Sequence, residues 1–285
     1  MTPRSPLSGG YTSLLIQVKN RIENVNRDGS FLHHRSSTQK RGPTDTYGCT
    51  RFQPELPPEE TNETMEQHRQ RLVEIYRQEG AGEAERAEVK KKLMELTFAL
   101  QRHHINTLPP PETEDLKSKW PFLFMPRCIY AHFELLTDID MLRSLELGME
   151  ECGRAIPQYF MEKPTNKAVK DVLSKGEDNE LALRVVQLLM AHFGEDLTGL
   201  ILLADVSATT VDVETTLSVP ASPRLILHVS GATGQVTVRG WRITLEGHVI
   251  SEGITPTFVT GLAAVFAIYY IFNLQYQDEA ACILE

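Results

Sequence analysis

The sequence contains few cysteines and no paired arrangement of them. No two of its four cysteines form a C-x-x-C pair, and no histidine stands at zinc-finger spacing from any of them; they are Cys49, Cys128, Cys152 and Cys282. This pattern predicts free thiols in a reducing compartment and argues against a disulfide framework or a zinc site. The N-terminus also lacks an apolar core of signal-peptide length, so we expect a cytoplasmic or nuclear protein.

Motifs for nucleophilic catalysis and for phosphate binding are absent as well. The sequence has no G-x-S-x-G string, no P-loop and no glycine-rich loop leading into a helix. It therefore predicts no catalytic residue, no cofactor and no metal ligand. We expect a non-enzymatic protein-interaction or scaffold protein, with an enzyme kept as the alternative.

The charge is negative and unevenly distributed. The chain has 29 basic and 38 acidic residues, which gives a net charge of −9. Residues 1–50 hold seven basic and three acidic residues, or +4, so residues 51–285 carry 22 basic and 35 acidic residues, or −13. An acidic body repels phosphate backbones, so the sequence gives no strong signal for nucleic-acid binding.

Four segments are expected along the 285 residues. Residues 1–26 include an amphipathic helix at 11–26 that offers a partner-binding segment, and residues 27–62 read as a disordered linker. A helical region follows at 63–195 and a small α/β region at 196–285, and we expect these two to form one body. The fold class is α+β, with a mostly helical first half and a small mixed β-sheet that packs on a buried apolar helix in the C-terminal part.

Hydrophobic periodicity predicts the helices of the first half. Their expected positions are 63–79 after Asn62 as N-cap, 83–106, 127–136, a helix capped by Asp138 that runs through Met149, a short one capped by Thr165, and 178–192. The apolar segment Trp120–Phe124 is expected to fill the core as an extended stretch.

After Gly199 the pattern changes to that of strands. Residues 200–204 form a short apolar run typical of a strand that is buried on both faces. Residues 209–217 predict a helical crossover, and further strands are expected at 225–229, 235–246 and 248–251.

An uncharged run from Gly253 to Gln277 covers 277 − 253 + 1 = 25 positions, enough to span a bilayer. Its polar residues and its acidic C-terminal flank favour a buried core helix at Phe258–Leu274 over a tail anchor, which stays the membrane alternative. On this helix Phe258, Leu262, Phe266 and Ile268 should contact the strands, and Tyr269, Tyr270 and Phe272 the helical half. The pattern at 278–285 resembles the first turns of a further helix, so we expect the natural chain to continue beyond Glu285.

Few residues qualify as candidates for chemistry. Asp205 follows an apolar strand, with Ser207 close behind, and strand ends often host ligands, so the enzyme alternative places a site there with His228. Weaker candidates are the pair His103-His104, the glycine turn Gly231–Gly234, the scattered His192 and His248, the acidic Asp212 and Glu214, and the basic Arg35, Lys40 and Arg41. For each of them a cap, a turn or a solvated surface is the simpler interpretation.

Several strings are similar to those of a known group of proteins. They are KRGPTDTYGC at 40–49, WPFLF at 120–124, AHFELLTD at 131–138, MEECGR at 149–154 and the segment 253–284. Over residues 10–285 the chain resembles a group of uncharacterised fish proteins, some named for likeness to a sterile-alpha-motif domain-containing protein. The resemblance implies no activity, cofactor or catalytic residue. The sterile alpha motif itself is not evident, so its oligomerising role is not expected here, and similar proteins continue past the equivalent of Glu285.

Overall fold

The structure, a computed structural model, describes residues 52–78, 83–174, 180–230, 237–253 and 257–284, with side chains described from residue 88 onward in the second range. These residues all belong to the compact unit Pro43–Glu285. The predicted helix at 11–26, most of the predicted linker, and Arg35, Lys40 and Arg41 lie outside the described residues. The glycine turn at 231–234 also lies outside them.

The described chain has an α+β fold with helices first and a small sheet later, as predicted. The helices up to the sheet are α1 (Asn62–Arg77), α2 (Glu83–Leu96), α3 (Phe98–Ile105), α4 (Thr113–Lys119), α5 (Pro126–Thr137), α6 (Met141–Cys152), α7 (Ala155–Glu162), α8 (Lys167–Ser174) and α9 (Leu181–Phe193). Short 3-10 turns form at Pro121–Phe124 and Leu197–Gly199.

The sheet contains four strands in the order β1-β2-β3-β4: β1 (Ile201–Asp205), β2 (Arg224–Ser230), β3 (Thr237–Leu245) and β4 (His248–Gly253). The first pair is parallel and the other two pairs are antiparallel, so the sheet is mixed. The parallel pair requires a crossover, which the predicted helix supplies as α10 (Thr210–Thr216). After the sheet come α11 (Phe258–Ile271), a 3-10 turn at Asp278–Ala280 and α12 (Ala281–Leu284).

The apolar helix α11 lies in the centre of the core, between the sheet and the other helices. Gly261 lets it approach the sheet closely, because a Cβ atom there would lie 2.8 Å from Leu225 Cδ1 and 3.0 Å from Trp241 Cγ. On its opposite side Phe266 and Tyr270 pack on Phe133 of α5, with ring centroids 6.2 and 5.4 Å away. One hydrophobic cluster therefore joins the helices and the sheet.

Three details of the α11 prediction are corrected. The helix ends at Ile271, since Asn273 has a left-handed φ of 56° that stops the helix before Leu274. Phe266 was expected on the strands but contacts the helical half. Tyr269 was expected to contact the helical half, but its ring packs on the ring of Tyr276, with the centroids 5.1 Å apart. Its hydroxyl donates a hydrogen bond to Gln277 Oε1. The reason is that α11 is buried on nearly all sides, so its sequence has no polar face to fix its rotation.

The expected helix at 83–106 is interrupted at Thr97, which separates α2 from α3. The buried Thr97 hydroxyl donates to the Leu93 carbonyl at 2.7 Å and accepts from Gln101 Nε2 at 2.9 Å. Back-bonding of this kind bends helices. Val89 of α2 is exposed, whereas Met94 and Ala99 are buried.

Several predicted caps are displaced by one or two residues. Thr61, not Asn62, caps α1, in a reciprocal capping box with Thr64. Asp138 has a φ of 58° and ends α5, and Asp140 caps α6 instead. A cap needs extended backbone before the helix, which the left-handed Asp138 does not provide.

Two apolar segments also differ from expectation. Trp120 and Phe122–Phe124 are buried as predicted, but the chain there is a 3-10 turn with Pro121 at its start rather than an extended stretch. Strand β1 lies at the edge of the sheet, where Leu203 is 48% exposed, so it is not buried on both faces.

Candidate functional site

A small open cavity lies at the end of the sheet where the parallel strands β1 and β2 finish. Its volume is about 220 Å³. The residues that line it come from all four strands or their ends: Val206, His228, Arg239, Gly240, Trp241, Arg242, Glu252 and Gly253. In open sheets that contain parallel strands, ligands bind at the carboxyl ends of those strands, so the cavity is the candidate functional site.

A β-bulge in β3 shapes the cavity. His228 of β2 pairs with Gly240, but Val229 pairs with Val238, so Arg239 is an extra residue without a partner. A bulge re-aims the side chain that it carries. The adjacent Gly240 has no side chain, and a Cβ atom added there would lie 3.3 Å from the Gly253 carbonyl oxygen. The bulge and the glycine together leave space between two arginines.

Arg242 is held firmly at the wall of the cavity. Its Nη1 donates to the Ala208 carbonyl at 2.8 Å and to His228 Nε2 at 2.7 Å. Its Nε donates to Glu252 Oε2 at 3.2 Å, which is also an ion pair across β3 and β4. Because three groups on three segments fix the guanidinium, its orientation is set before any ligand arrives.

His228 is the neutral partner of that arginine. Its Nδ1 lies 3.1 Å from the carbonyl oxygen of Asp205, which can only accept, so Nδ1 carries the proton and Nε2 accepts from Arg242. Burial lowers the pKa of His228, and the nearby charge of Arg242 lowers it further, although the hydrogen bond to the Asp205 carbonyl acts in the opposite direction. The imidazole therefore serves as a hydrogen-bond acceptor that positions the guanidinium.

The structure brings Asp205 and His228 together only through the backbone. The Asp205 carboxylate turns away and accepts from Ser207, at 2.5 Å from Oγ and 2.8 Å from the backbone nitrogen. These two bonds lower the pKa of Asp205, which stays exposed. The carboxylate does not line the cavity, so the two side chains form no carboxylate–imidazole pair. Ser207 makes this turn and is not a helix cap, since Thr209 caps α10 with Asp212.

The other candidate histidines do not converge. His104 accepts from Trp120 Nε1 at 3.0 Å, and burial is the main cause of its lowered pKa, while His103 points outward. His192 lies 2.9 Å from Thr165 Oγ1, and His248 lies 3.8 Å from Glu214. Within the described ranges no group of three or more histidine, cysteine or acidic side chains could hold a metal ion.

Sequence reasoning missed Arg239 and Arg242 as site residues. The available signal was an arginine on either side of Gly240 in a strand that otherwise alternates. The bulge that directs both arginines to one cavity depends on pairing with β2, which the β3 sequence alone does not show.

A second polar cluster is fully buried in the helical half. Arg102 has no exposed surface, and its Nη1 donates at 2.6 Å to the carbonyl of Ile271, the last residue of α11. Its Nε donates to the Phe52 carbonyl at 3.2 Å. His132 lies 3.0 Å from Gln101 Oε1. The negative end of the α11 dipole compensates a charge that otherwise is costly to bury, although burial still lowers the pKa of Arg102 to about 10.

Gln101 and Arg102 of this cluster lie in a segment that resembles part of a known protein. Residues 65–125 match the helical domain of sterile alpha motif domain-containing protein 3. The expected similarity to sterile-alpha-motif domain-containing proteins is thus confirmed over residues 65–125, which run from within α1 to just past the turn at Pro121–Phe124. In sterile alpha motif domain-containing protein 3 the matched part is named a helical domain, which agrees with the helical structure of this segment. No curated protein and no solved structure matches the chain.

None of the helices in the described ranges combines the length and the apolar character needed to cross a membrane.

Proposed function

We propose that this protein is a non-enzymatic interaction or scaffold protein that binds an extended segment of a partner along the outer edge of β1. The observation that carries the proposal is this edge itself. Strand β1 pairs only with β2, and among the described residues no group bonds to the outward backbone atoms of Ile201 and Leu203. Such an edge is a template for adding a strand.

The pairing pattern shows which backbone groups face outward. The Leu225 N–H donates to the Leu200 carbonyl at 2.8 Å, and the Val206 N–H donates to the Val229 carbonyl at 3.1 Å. Even-numbered residues of β1 therefore bond to β2. In a strand the direction of these groups alternates, so the N–H and C=O groups of Ile201 and Leu203 point away from β2. Leu203 is half exposed and presents both groups at the surface, whereas Ile201 is buried.

The opposite edge of the sheet, at β4, is protected against pairing with a further strand. On β4, Lys117 Nζ donates to the Val249 carbonyl at 3.1 Å, and the Val249 N–H donates to Glu214 Oε1 at 2.7 Å. Charged side chains at an edge prevent further pairing. Strand β1 is buried at Ile201, but at Leu203 it has no such cover in the described part of the chain, and this residue is half exposed.

Charge complementarity defines the occupant as a basic extended peptide with apolar side chains. The exposed carboxylate of Asp205 ends the strand and is ionised at neutral pH, since its pKa is lowered by Ser207. Residues 51–285 carry −13 overall, from 22 basic and 35 acidic residues. An apolar side chain of the peptide packs on Leu203, and a lysine or arginine lies near Asp205.

Two further features belong to the same proposal. Cys128 and Cys152 are free thiols, which supports a cytoplasmic or nuclear location. Residues 11–26 remain a second proposed partner-binding segment, through the amphipathic pattern of their sequence.

The test is binding of a short synthetic peptide of alternating valine and threonine with a lysine at each end. NMR spectra of the whole protein should show the Leu203 amide shifting and becoming protected from exchange. Leu203→Pro removes an outward N–H without breaking a bond to β2, so it should weaken binding about tenfold.

The matched control is Val211→Lys, which changes an exposed apolar side chain on α10 away from the edge. It should bind the peptide as the natural protein does, and a glutamate-ended peptide should bind more weakly. Equal binding to the Leu203→Pro variant, or an unchanged Leu203 amide, would contradict the proposal.

A further inference from the structure

We propose that the cavity at the end of the sheet binds a small oxyanion, a carboxylate or phosphate group carried by a small molecule. This inference is independent of the proposed strand-binding edge, since it depends on side chains of β2, β3 and β4. Its elements are two arginines, a neutral histidine that positions one of them, and a glycine that keeps the space between them open.

The arginines retain donors for a ligand. Arg239 uses only Nε, which donates to Ser230 Oγ at 3.1 Å, and Arg242 uses Nε and Nη1. Among the described residues, both Nη atoms of Arg239 and Nη2 of Arg242 have no hydrogen-bond partner. Planar guanidinium groups bind carboxylate and phosphate oxygens through two parallel bonds, so these free donors match an oxyanion.

The cavity is built for a ligand of limited size. Its volume of about 220 Å³ is below the roughly 300–1,000 Å³ of pockets that take drug-sized ligands. Gly240 forms part of its wall, and a Cβ atom there would lie 3.3 Å from the Gly253 carbonyl oxygen, which is a tight contact. Gly253 itself admits no side chain, because a Cβ atom there would lie 2.2 Å from the Trp241 ring.

The charges of the lining side chains favour an anion. Arg239 and Arg242 give +2 and Glu252 gives −1, so with a neutral His228 the lining carries +1. Glu252 is 65% exposed and holds only Nε of Arg242, so it competes with an anion without closing the cavity. An anion with two oxygens can bridge the two guanidinium groups while the bonds from Arg242 to Ala208 and His228 stay in place.

The experiment titrates the whole protein with inorganic phosphate and, separately, with succinate, against sodium chloride at matched ionic strength. NMR signals of the arginine Nε–H groups report binding at the site. We expect the Arg239 and Arg242 signals to shift with phosphate, succinate or both, and not with chloride. Response to one anion only identifies the chemical source of the natural ligand.

Variants that should change the anion affinity in opposite directions make the test specific. Arg239→Gln should weaken binding about tenfold, the effect of losing one charge-assisted pair. Gly240→Ala should weaken it by narrowing the cavity with no change of charge. Glu252→Gln should strengthen it, because the competing carboxylate is removed.

The control is Arg143→Gln on α6, an exposed arginine in an ion pair with Glu146, which should bind the anions as the natural protein does. Thermal midpoints of all variants show that each one is folded. The proposal is overturned if chloride produces the same shifts, if Arg239→Gln binds with unchanged affinity, or if Glu252→Gln binds more weakly.

Discussion

Arg102 shows how hydrogen bonds hold a charged residue inside a core. Its guanidinium donates to the carbonyls of Ile271 and Phe52 and to Asn106 Oδ1, and so links three segments of the chain. We expect Arg102→Ala to lower the free energy of unfolding by about 3–5 kcal/mol, because it leaves buried acceptors unpaired and opens a cavity. Urea-induced unfolding measures this change.

The control for that variant is Arg143→Ala, whose exposed ion pair with Glu146 should be worth less than about 1 kcal/mol. A loss of stability in Arg102→Ala no greater than in Arg143→Ala would show that the buried hydrogen bonds do not stabilise the fold.

His132 makes stability depend on pH. Burial lowers its pKa well below 6.5, with a further effect from the charge of Arg102. The unfolded chain therefore takes up the proton first, so the contribution is complete above pH 6.5 and is lost as pH falls below it. The slope for one such group is about 1.4 kcal/mol per pH unit. His132→Gln should flatten the dependence of the unfolding free energy on pH between 7 and 5.

His103→Gln is the control, since it removes an exposed histidine from the same part of the molecule. It should leave the pH dependence as steep as in the natural protein. His104 and His228, whose pKa values are also lowered, act in the same direction and keep some slope in the His132→Gln variant. An unchanged slope in the His132→Gln variant would show that His132 does not cause the pH dependence of the unfolding free energy.

At the scale of elements, α11 determines how the two halves pack. Val265 lies in its middle and has no exposed surface. Val265→Asp should lower the free energy of unfolding by several kcal/mol, because an unpaired carboxyl would be buried. Val211→Asp, at a valine of α10 that is 65% exposed, should change stability little. If both variants melt at the same temperature, α11 is not in the core.

Alanine substitutions at two helix glycines should change the free energy of unfolding in opposite directions. A Cβ atom at Gly261 in α11 would press on Leu225 and Trp241, whereas one at Gly148 in α6 would meet nothing within 4 Å. Gly261→Ala should cost about 1–3 kcal/mol through overpacking. Gly148→Ala should add about 0.5–1 kcal/mol, since alanine favours the helix. Thermal unfolding of both variants distinguishes close packing from helix propensity, and stabilisation of both would contradict the close approach of α11 to the sheet.

For the whole molecule, hydrogen bonds tie Phe52 and Gln53 to the helical half. The Phe52 carbonyl accepts from Arg102 and from Asn106 Nδ2, and Gln53 Nε2 donates to the Ala99 carbonyl at 3.0 Å. A chain of residues 43–285 should therefore keep the unfolding free energy of the full chain. A chain of residues 57–285 should lose about 1–3 kcal/mol, because the buried Arg102 loses an acceptor. Equal stability of the two shortened chains would show that these contacts contribute nothing.

Much of the local structure followed from the sequence, because periodicity and turn residues act over short distances. The helix at 127–136, the crossover at 209–217 and the strand at 225–229 were predicted within about two residues. The cap positions were less accurate, since Asp138 and Asp140 have the same side chain and only the backbone angle decides which of them caps the helix. The site was predicted only in part. His228 was named with Asp205, but the two arginines were not.

The sequence by itself determined the order of helices and strands, the apolar character of α11 and the acidic charge of the body, because these depend on residue type and local spacing. Only the tertiary structure decided that β1 lies at an open edge, that Phe266 faces the helices, and that Arg239 and Arg242 meet beside His228. These features arise from pairing between segments far apart in the chain. The register of β2 with β3 places the bulge, and the bulge in turn directs the arginines into one cavity.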